Sequence, residues 1–388
     1  MQVRKEIEAL EDKILAPYAM KSKDSSGRVY AEPDHETRTC YQRDRDRIVH
    51  SEAFRKLEYK TQVFIIYEGD YYRTRLTHTL EVAQIARTIG RNLRLNEDLI
   101  EAIALAHDLG HPPFGHAGER TLNDIMKEAG LKAFNHNQRS FEIVTKFEKR
   151  YPHFDGLNLT LEVLVGILKH KTIYDVPEVT NKTIQEGPTL EAQVVDVADS
   201  LAYLNHDIDD GLTSGCIVEN DLMDSALWRR ALDRLKTASA TTDKEMLKYQ
   251  IVKELIDMQA KDLLFNSDQM IGEANFQSAQ EVKKSKKVVI GFSSQMAAER
   301  DELQRLVHEK FYCHYRVERM ISKAQRIIKD IFKVYKENPN QLPYSVYQRN
   351  KKYDDKTQYE IICNYIAGMT DRFALDEHKK LFNPYEKV

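Results

Sequence analysis

Apolar positions recur every three to four residues along most of the chain, the period of a helix with one buried face. Residues 2–16 set Leu and Ile among charges in this pattern, and it resumes over 46–62. From Leu76 to Leu93 the residues Leu76, Leu80, Ala83, Ile89 and Leu93 fall on one stripe. Asn96 reads as an N-cap, with Glu97 and Asp98 in the first turn, where the helix dipole favours anions. That helix carries Leu99, Ile100, Ile103 and Ala104, and is expected to end near Gly110. The same period predicts helices at about 137–149, 160–170, 189–209, 221–236, 243–260, 294–331 and 355–369. Two stretches break it. Residues 21–45 are polar and rich in turn formers, so they read as a loop-rich entry. Lys286 to Phe292 is β-branched and bounded by polar residues, the clearest strand signal in the chain. The expected fold is all-α, with at most a small β-hairpin near 286–292. The region 211–245 is the one plausible seam in an otherwise continuous helical body.

Composition narrows the function classes. The chain has 388 residues, with 58 basic against 61 acidic side chains. A near-neutral balance argues against a general nucleic-acid coat protein but leaves room for a local basic patch. No apolar run approaches the roughly 20 residues that span a bilayer. The N-terminus lacks the apolar core of a signal peptide, so a cytoplasmic protein is expected. Cys40, Cys216, Cys313 and Cys363 lie far apart and form no C-x-x-C pair. They read as isolated thiols, which leaves histidine and carboxylate to hold any metal.

Chemistry concentrates in the run from Ala106 to Glu119. It places His107, His111 and His116 with Asp108 and Glu119 in fourteen residues, punctuated by glycines and Pro112-Pro113. Imidazole and carboxylate together bind a divalent metal and move protons beside it. His107-Asp108 sits at the end of an apolar helix, where the scaffold can fix it. His78, inside the 76–93 helix, is by itself as well explained by a satisfied core histidine. Further on, Val194, Val197, Leu201, Leu204 and Ile208 form an apolar stripe. Asp196, Asp199, Tyr203, His206, Asp207 and Asp210 share another face at i+3 and i+4 steps. An acidic solvated face is the plain explanation. It is weakened by the lack of any lysine or arginine between Lys182 and Arg229. Two histidines and two aspartates suit Mn, Fe, Co, Ni, Zn or Mg, without choosing among them.

His78, His107-Asp108 and Asp199 match the H…HD…D signature of the HD-domain phosphohydrolases. The longer run His107-Asp108-Leu109-Gly110-His111-Pro112-Pro113-Phe114-Gly115-His116-Ala117-Gly118-Glu119 is far more specific. It resembles the deoxyguanosine triphosphate triphosphohydrolases and the wider dNTP triphosphohydrolases. Further matches are Arg45 to Ser51, Ala53 to Leu57, Lys60 to Phe64, Arg75 to His78 and Tyr365 to Arg372, so the likeness runs from about residue 30 to about 385.

The resemblance implies a division into an N-terminal helix and loop (1–29), a catalytic core (30–215) and a C-terminal helical region (216–388) packed on it. It implies metal-dependent hydrolysis of dGTP, or of other dNTPs, to deoxynucleoside and triphosphate by water attack at the α-phosphorus. The implied metal ligands are His78, His107, Asp108 and Asp199. His116 with Glu119 would handle the proton, and His136 would contact phosphate. His111 reads as scaffold of the Pro112-Pro113 turn. Arg75, three residues before His78, would clamp a phosphate oxygen with its planar fork. Tyr203 would exclude a 2′-hydroxyl, Asp207 and Gln62 would bind the 3′-hydroxyl, and Tyr315 and Arg316 would face the triphosphate tail. Family members are typically homo-oligomers, and some respond to a dNTP effector at a second site.

Other readings remain open at this level. Another HD nucleotidase or phosphodiesterase would share the four ligands but not the His116/Glu119 and Lys60–Phe64 segments. A nucleotide sensor or single-stranded DNA binder would use the lysines at 283, 284, 286 and 287, which otherwise read as a solvated face. Arg43 to Arg47 suits an interface, an effector phosphate or ordinary ion pairs.

Overall fold

A computed structural model describes residues 3–63, 72–168, 187–238, 244–348 and 353–387. Among them the secondary structure comprises sixteen α-helices, short 3₁₀ and π turns, and isolated bridges in place of any strand. Phe64 and the predicted helical positions 169, 170 and 243 fall outside the described residues.

The centre is the Glu97–Ala106 helix. Asn96 caps it by accepting from the Asp98 and Leu99 amides, and seven of its residues are buried. It lies against the Arg75–Asn92, Cys40–Val49, Leu161–Leu168 and Leu190–Thr213 helices. The main core runs from Ala16 through these helices to Ile290, so residues beyond 216 help to close it. A second core joins Leu204 and Ile208 to Trp228, Leu255 and Phe311. A third seats the Gly115–Glu128 helix on Tyr315–Glu337 and Asp355–Ala367 through Leu122, Ile328 and Ile366. Each fully buried aliphatic or aromatic side chain in these clusters is worth about 1.5–3 kcal/mol.

Several expectations need correction. The 46–62 pattern is not one helix: Cys40–Val49 starts earlier, inside the expected loop region, and Ser51 recaps the chain for Glu52–Lys56. The 294–331 span breaks into Ser294–Val307, a π turn at His308–Tyr312, and Tyr315–Glu337. The helix expected over 243–260 continues to Ala274. Gly115–Glu128 and Asp371–Phe382 are additional helices. The strand expected at 286–292 does not form. Lys286 is left-handed (φ 54°), and the segment's amides are met by side chains: Val289 and Ile290 donate to Gln193 Oε1, Gly291 to Ser267 Oγ. Val289 and Ile290 then enter the main core, which is the burial their β-branched character signalled.

Candidate active site

Three helices meet where the sequence placed its histidines. Thr74 caps the Arg75–Asn92 helix, and this aims Arg75 and His78 inward from its first turn. His107 is the C-cap of the central helix, and Asp108 follows it. Asp199 comes from the Leu190–Thr213 helix. His78 Nε2 lies 2.9 Å from Asp199 Oδ1 and 4.0 Å from Asp108 Oδ2. His107 Nδ1 is 2.6 Å from the Ala104 carbonyl, which fixes that nitrogen as the N–H donor. The other ring nitrogen then turns its lone pair to Asp108 Oδ1 at 3.5 Å and Asp199 Oδ1 at 3.7 Å. Nitrogen lone pairs facing carboxylates at these separations make a donor set that a divalent cation satisfies. The ligand atoms of His78, His107 and Asp199 all lie within 4.8 Å of one another, so the residues present fit a metal.

Asp108 also looks the other way. Its Oδ2 accepts from Arg75 Nη1 at 2.8 Å, and its Oδ1 is 2.9 Å from His111 Nδ1. Burial would raise this carboxyl, but His111, Arg75 and His107 outweigh it and hold it well below the ordinary range. Arg75 is 1% exposed, and its Nε and Nη2 are buried without a hydrogen-bond partner. Orphaned guanidinium donors beside a cation site call for an anionic oxygen.

A second cluster abuts the first. Glu119 Oε1 accepts from the His136 amide and from His136 Nδ1, both at 2.8 Å, and Glu119 Oε2 is 3.3 Å from His116 Nδ1. Burial opposes ionisation of Glu119, yet His136 and His116 keep its carboxyl well below its usual value. Expected as the partner of His116, Glu119 is the hub of both imidazoles. His111 stacks on the His136 ring with centroids 3.8 Å apart, so it links the Asp108 and Glu119 clusters instead of only bracing the proline turn. Gly110 permits this packing: a Cβ there would lie 2.1 Å from the His136 carbonyl oxygen. Ser140 Oγ accepts from the Gly110 amide and donates to the His107 carbonyl, locking the two segments together.

Tyr203 stands between the clusters, edge-on to His78 at 6.4 Å and to His116 at 6.1 Å. Its hydroxyl meets that of Tyr312 at 2.7 Å, and Tyr312 donates to Asp207 Oδ2 at 2.8 Å. Burial pushes the Asp207 carboxyl well above its usual value, and its Oδ1 has no hydrogen-bond partner. Gln62 is buried with Oε1 likewise unmatched. Tyr315 is 60% exposed and packs on His314 and Arg319, while Arg316 donates to the Ser214 carbonyl. Both side chains are exposed.

The acidic face of the Leu190–Thr213 helix finds a base from elsewhere. Arg73 pairs with Asp209 at 2.8 Å, Asp210 at 2.9 Å and Glu81 at 3.1 Å. Sequence reasoning put His206 on this face without a role, and passed over Tyr312; His206 lies 3.1 Å from His78 Nδ1 and pairs with Glu81. The i+4 step from His78 to Val82, and Glu81 beside it, gave no hint of a partner 128 residues away. Arg43, Arg45 and Arg47 are engaged in ion pairs with Glu32, Asp98 and Glu101.

Comparison with known proteins places this region of the chain in known families. The HD domain family matches residues 75–219, and the phosphohydrolase-associated domain matches 290–380. A deoxyguanosinetriphosphate triphosphohydrolase-like protein of Geobacter sulfurreducens is 47% identical over 382 residues, 98% of either chain. Proteins of the same description from Geobacter metallireducens (48% over 376 residues, 96% of either chain) and Ralstonia pickettii (48% over 372 residues, 95% of this chain and 94% of that one) are similarly close.

Proposed function

The chain belongs to the family of HD-domain deoxyguanosinetriphosphate triphosphohydrolase-like proteins, and from that premise we propose that it hydrolyses deoxynucleoside triphosphates, dGTP foremost, to deoxynucleoside and tripolyphosphate. The observation that carries the reading is Arg75. Its unmatched donors sit beside a His/Asp set that fits a metal, so one pocket asks for a cation and a phosphate oxygen together.

His78, His107, Asp108 and Asp199 would hold the metal. When bound, it supplies a more acidic water and a polarised phosphoryl oxygen. Asp108 keeps Arg75 in place, and Arg75 offers its remaining donors to an α-phosphate oxygen. Attack at the α-phosphorus breaks the bond to O5′, which then needs a proton. Glu119 fixes His116 through Nδ1, which leaves Nε2 to supply that proton. His136, held by the same carboxylate, turns its Nε2 to the phosphates. The Tyr203 ring crowds the 2′ position of the sugar. Asp207 accepts from the 3′-hydroxyl through its unmatched Oδ1, and the Gln62 amide donates to the oxygen of the same hydroxyl.

The test is a product-resolved assay of all four dNTPs, singly and in mixtures, across several divalent metals. Mixtures reveal turnover that depends on a nucleotide effector. Deoxynucleoside with tripolyphosphate is the expected pair. Deoxynucleoside monophosphate with pyrophosphate, or diphosphate with phosphate, would assign the site to a different HD phosphohydrolase reaction.

A further inference from the structure

Asp371 lies in the C-terminal region, far in sequence from the histidine clusters, yet it is 1% exposed and faces the active site's supports. Its two oxygens serve two different segments. Oδ2 accepts from the Thr61 amide at 2.9 Å and from the Thr61 hydroxyl. Oδ1 accepts from the Phe114 amide at 2.8 Å. Thr61 precedes Gln62, while Phe114 is the N-cap of the helix that carries His116 and Glu119. Phe114 is left-handed, with φ 64°, a backbone state that a side chain of its kind rarely adopts. It supplies no cap of its own, and the carboxylate of Asp371 takes the amide at that bend.

The two segments also touch each other. A Cβ added at Gly115 would lie 2.9 Å from Arg75 Nη2, 3.4 Å from the Thr61 carbonyl and 3.5 Å from the Gln62 carbonyl. The Arg75 amide donates to the Lys60 carbonyl at 3.0 Å, and Thr61 bridges Thr74. Lys56 reaches the Gly368 carbonyl at 3.1 Å, a second tie to the same C-terminal turn. The sugar-side segment and the proton-handling helix thus meet at one buried carboxylate, and the sugar-side segment in turn touches the start of the Arg75 helix.

We propose that Asp371 is a positioning residue of the active site, setting Gln62 against the helix of His116 and Glu119 by accepting the Thr61 and Phe114 amides at once. The C-terminal region thereby supplies part of the catalytic geometry. The hydrogen bonds of Asp371 go to Thr61 and Phe114 and touch none of the proposed metal ligands His78, His107, Asp108 and Asp199. The roles of Gln62 and His116 rest on the function proposed above; the two amide contacts do not.

Asp371→Asn tests this in the full-length protein. Asparagine keeps the size but only one acceptor oxygen, so one amide faces an NH₂ donor. Thr61→Val, which removes only the hydroxyl donor, is the milder second variant. Hydrogen exchange at the Thr61 and Phe114 amides is the direct readout and needs no turnover. In Asp371→Asn at least one of them should lose protection, while the central-helix amides keep theirs and Mn²⁺ binds as in the wild type. Displacement by about 1 Å lowers kcat on the order of a hundredfold, and Thr61→Val should lower it less. Combining Asp371→Asn with Gln62→Ala should cost less than the product of the single effects. Both amides remaining protected would overturn the proposal. So would wild-type kcat, a loss tracking Mn²⁺ affinity, or strictly multiplicative effects. A wild-type protein inactive on every dNTP would refute the proposed function alone, because the exchange result still decides the role of Asp371.

Discussion

Glu119→Gln is the most informative single change at the proton-handling cluster. The carboxylate takes three contacts: two from His136 at 2.8 Å and one from His116 at 3.3 Å. Glutamine has the same shape, so the fold should survive; it loses the charge and one of the two acceptor oxygens. Hydrogen bonds to a charged partner contribute about 1.5–3 kcal/mol against about 0.5–1.5 for neutral ones. The difference on a protonated His116 is therefore about 1–2 kcal/mol. Each 1.4 kcal/mol is about a factor of ten in rate, and misorienting a general acid forfeits part of its usual 10²–10⁴-fold contribution. The expected outcome is a kcat about a hundredfold lower, with KM and bound metal little changed. Steady-state kinetics on dGTP with metal analysis of the same sample measures both. Adding His116→Ala to Glu119→Gln should then cost little more. A kcat within threefold of wild type, or two effects that multiply fully, would refute a shared Glu119–His116 unit.

Burial lowers the Lys60 amine from its ordinary 10.5 to about 7. Between those values the folded chain binds fewer protons than the unfolded one, so stability rises with pH across that window, by at most about 1.4 kcal/mol per unit. Lys60→Met should flatten this slope in urea melts at pH 7 and 9, and an unchanged slope would contradict the assignment. Tyr312→Phe removes the hydroxyl joining Tyr203 to Asp207. It leaves Asp207 short of a donor, a loss of about 1–3 kcal/mol. KM for dNTP should rise about tenfold with metal binding unaffected, and an unchanged KM would remove Tyr312 from the sugar site.

The helical fold was legible because it rests on local order, whereas the proposed metal set, drawn from three distant helices, was offered only by the motif likeness. A stripe such as Leu99, Ile100 and Ile103 needs only one helix to declare itself, and the Asn96 cap marked where that helix begins. The Gly115–Glu128 helix was harder to see. It enters through the left-handed Phe114, and its apolar side, Ala117, Leu122 and Met126, is short and packs with a helix two hundred residues away. The strand signal at Val288 to Ile290 failed because Gln193, from another helix, takes the amides a partner strand would have used. Tyr312 and Asp371 matter through contacts made 105 and 257 residues away. His206 was visible on the acidic helix face, but its contact with His78 was not.

Hydrolysis of dGTP in ¹⁸O-water by the metal-loaded protein tests the central claim most directly. Attack at the α-phosphorus with departure of O5′ places the label in the tripolyphosphate and leaves deoxyguanosine unlabelled. Label in the deoxyguanosine, or release of dGMP with pyrophosphate, would contradict the account.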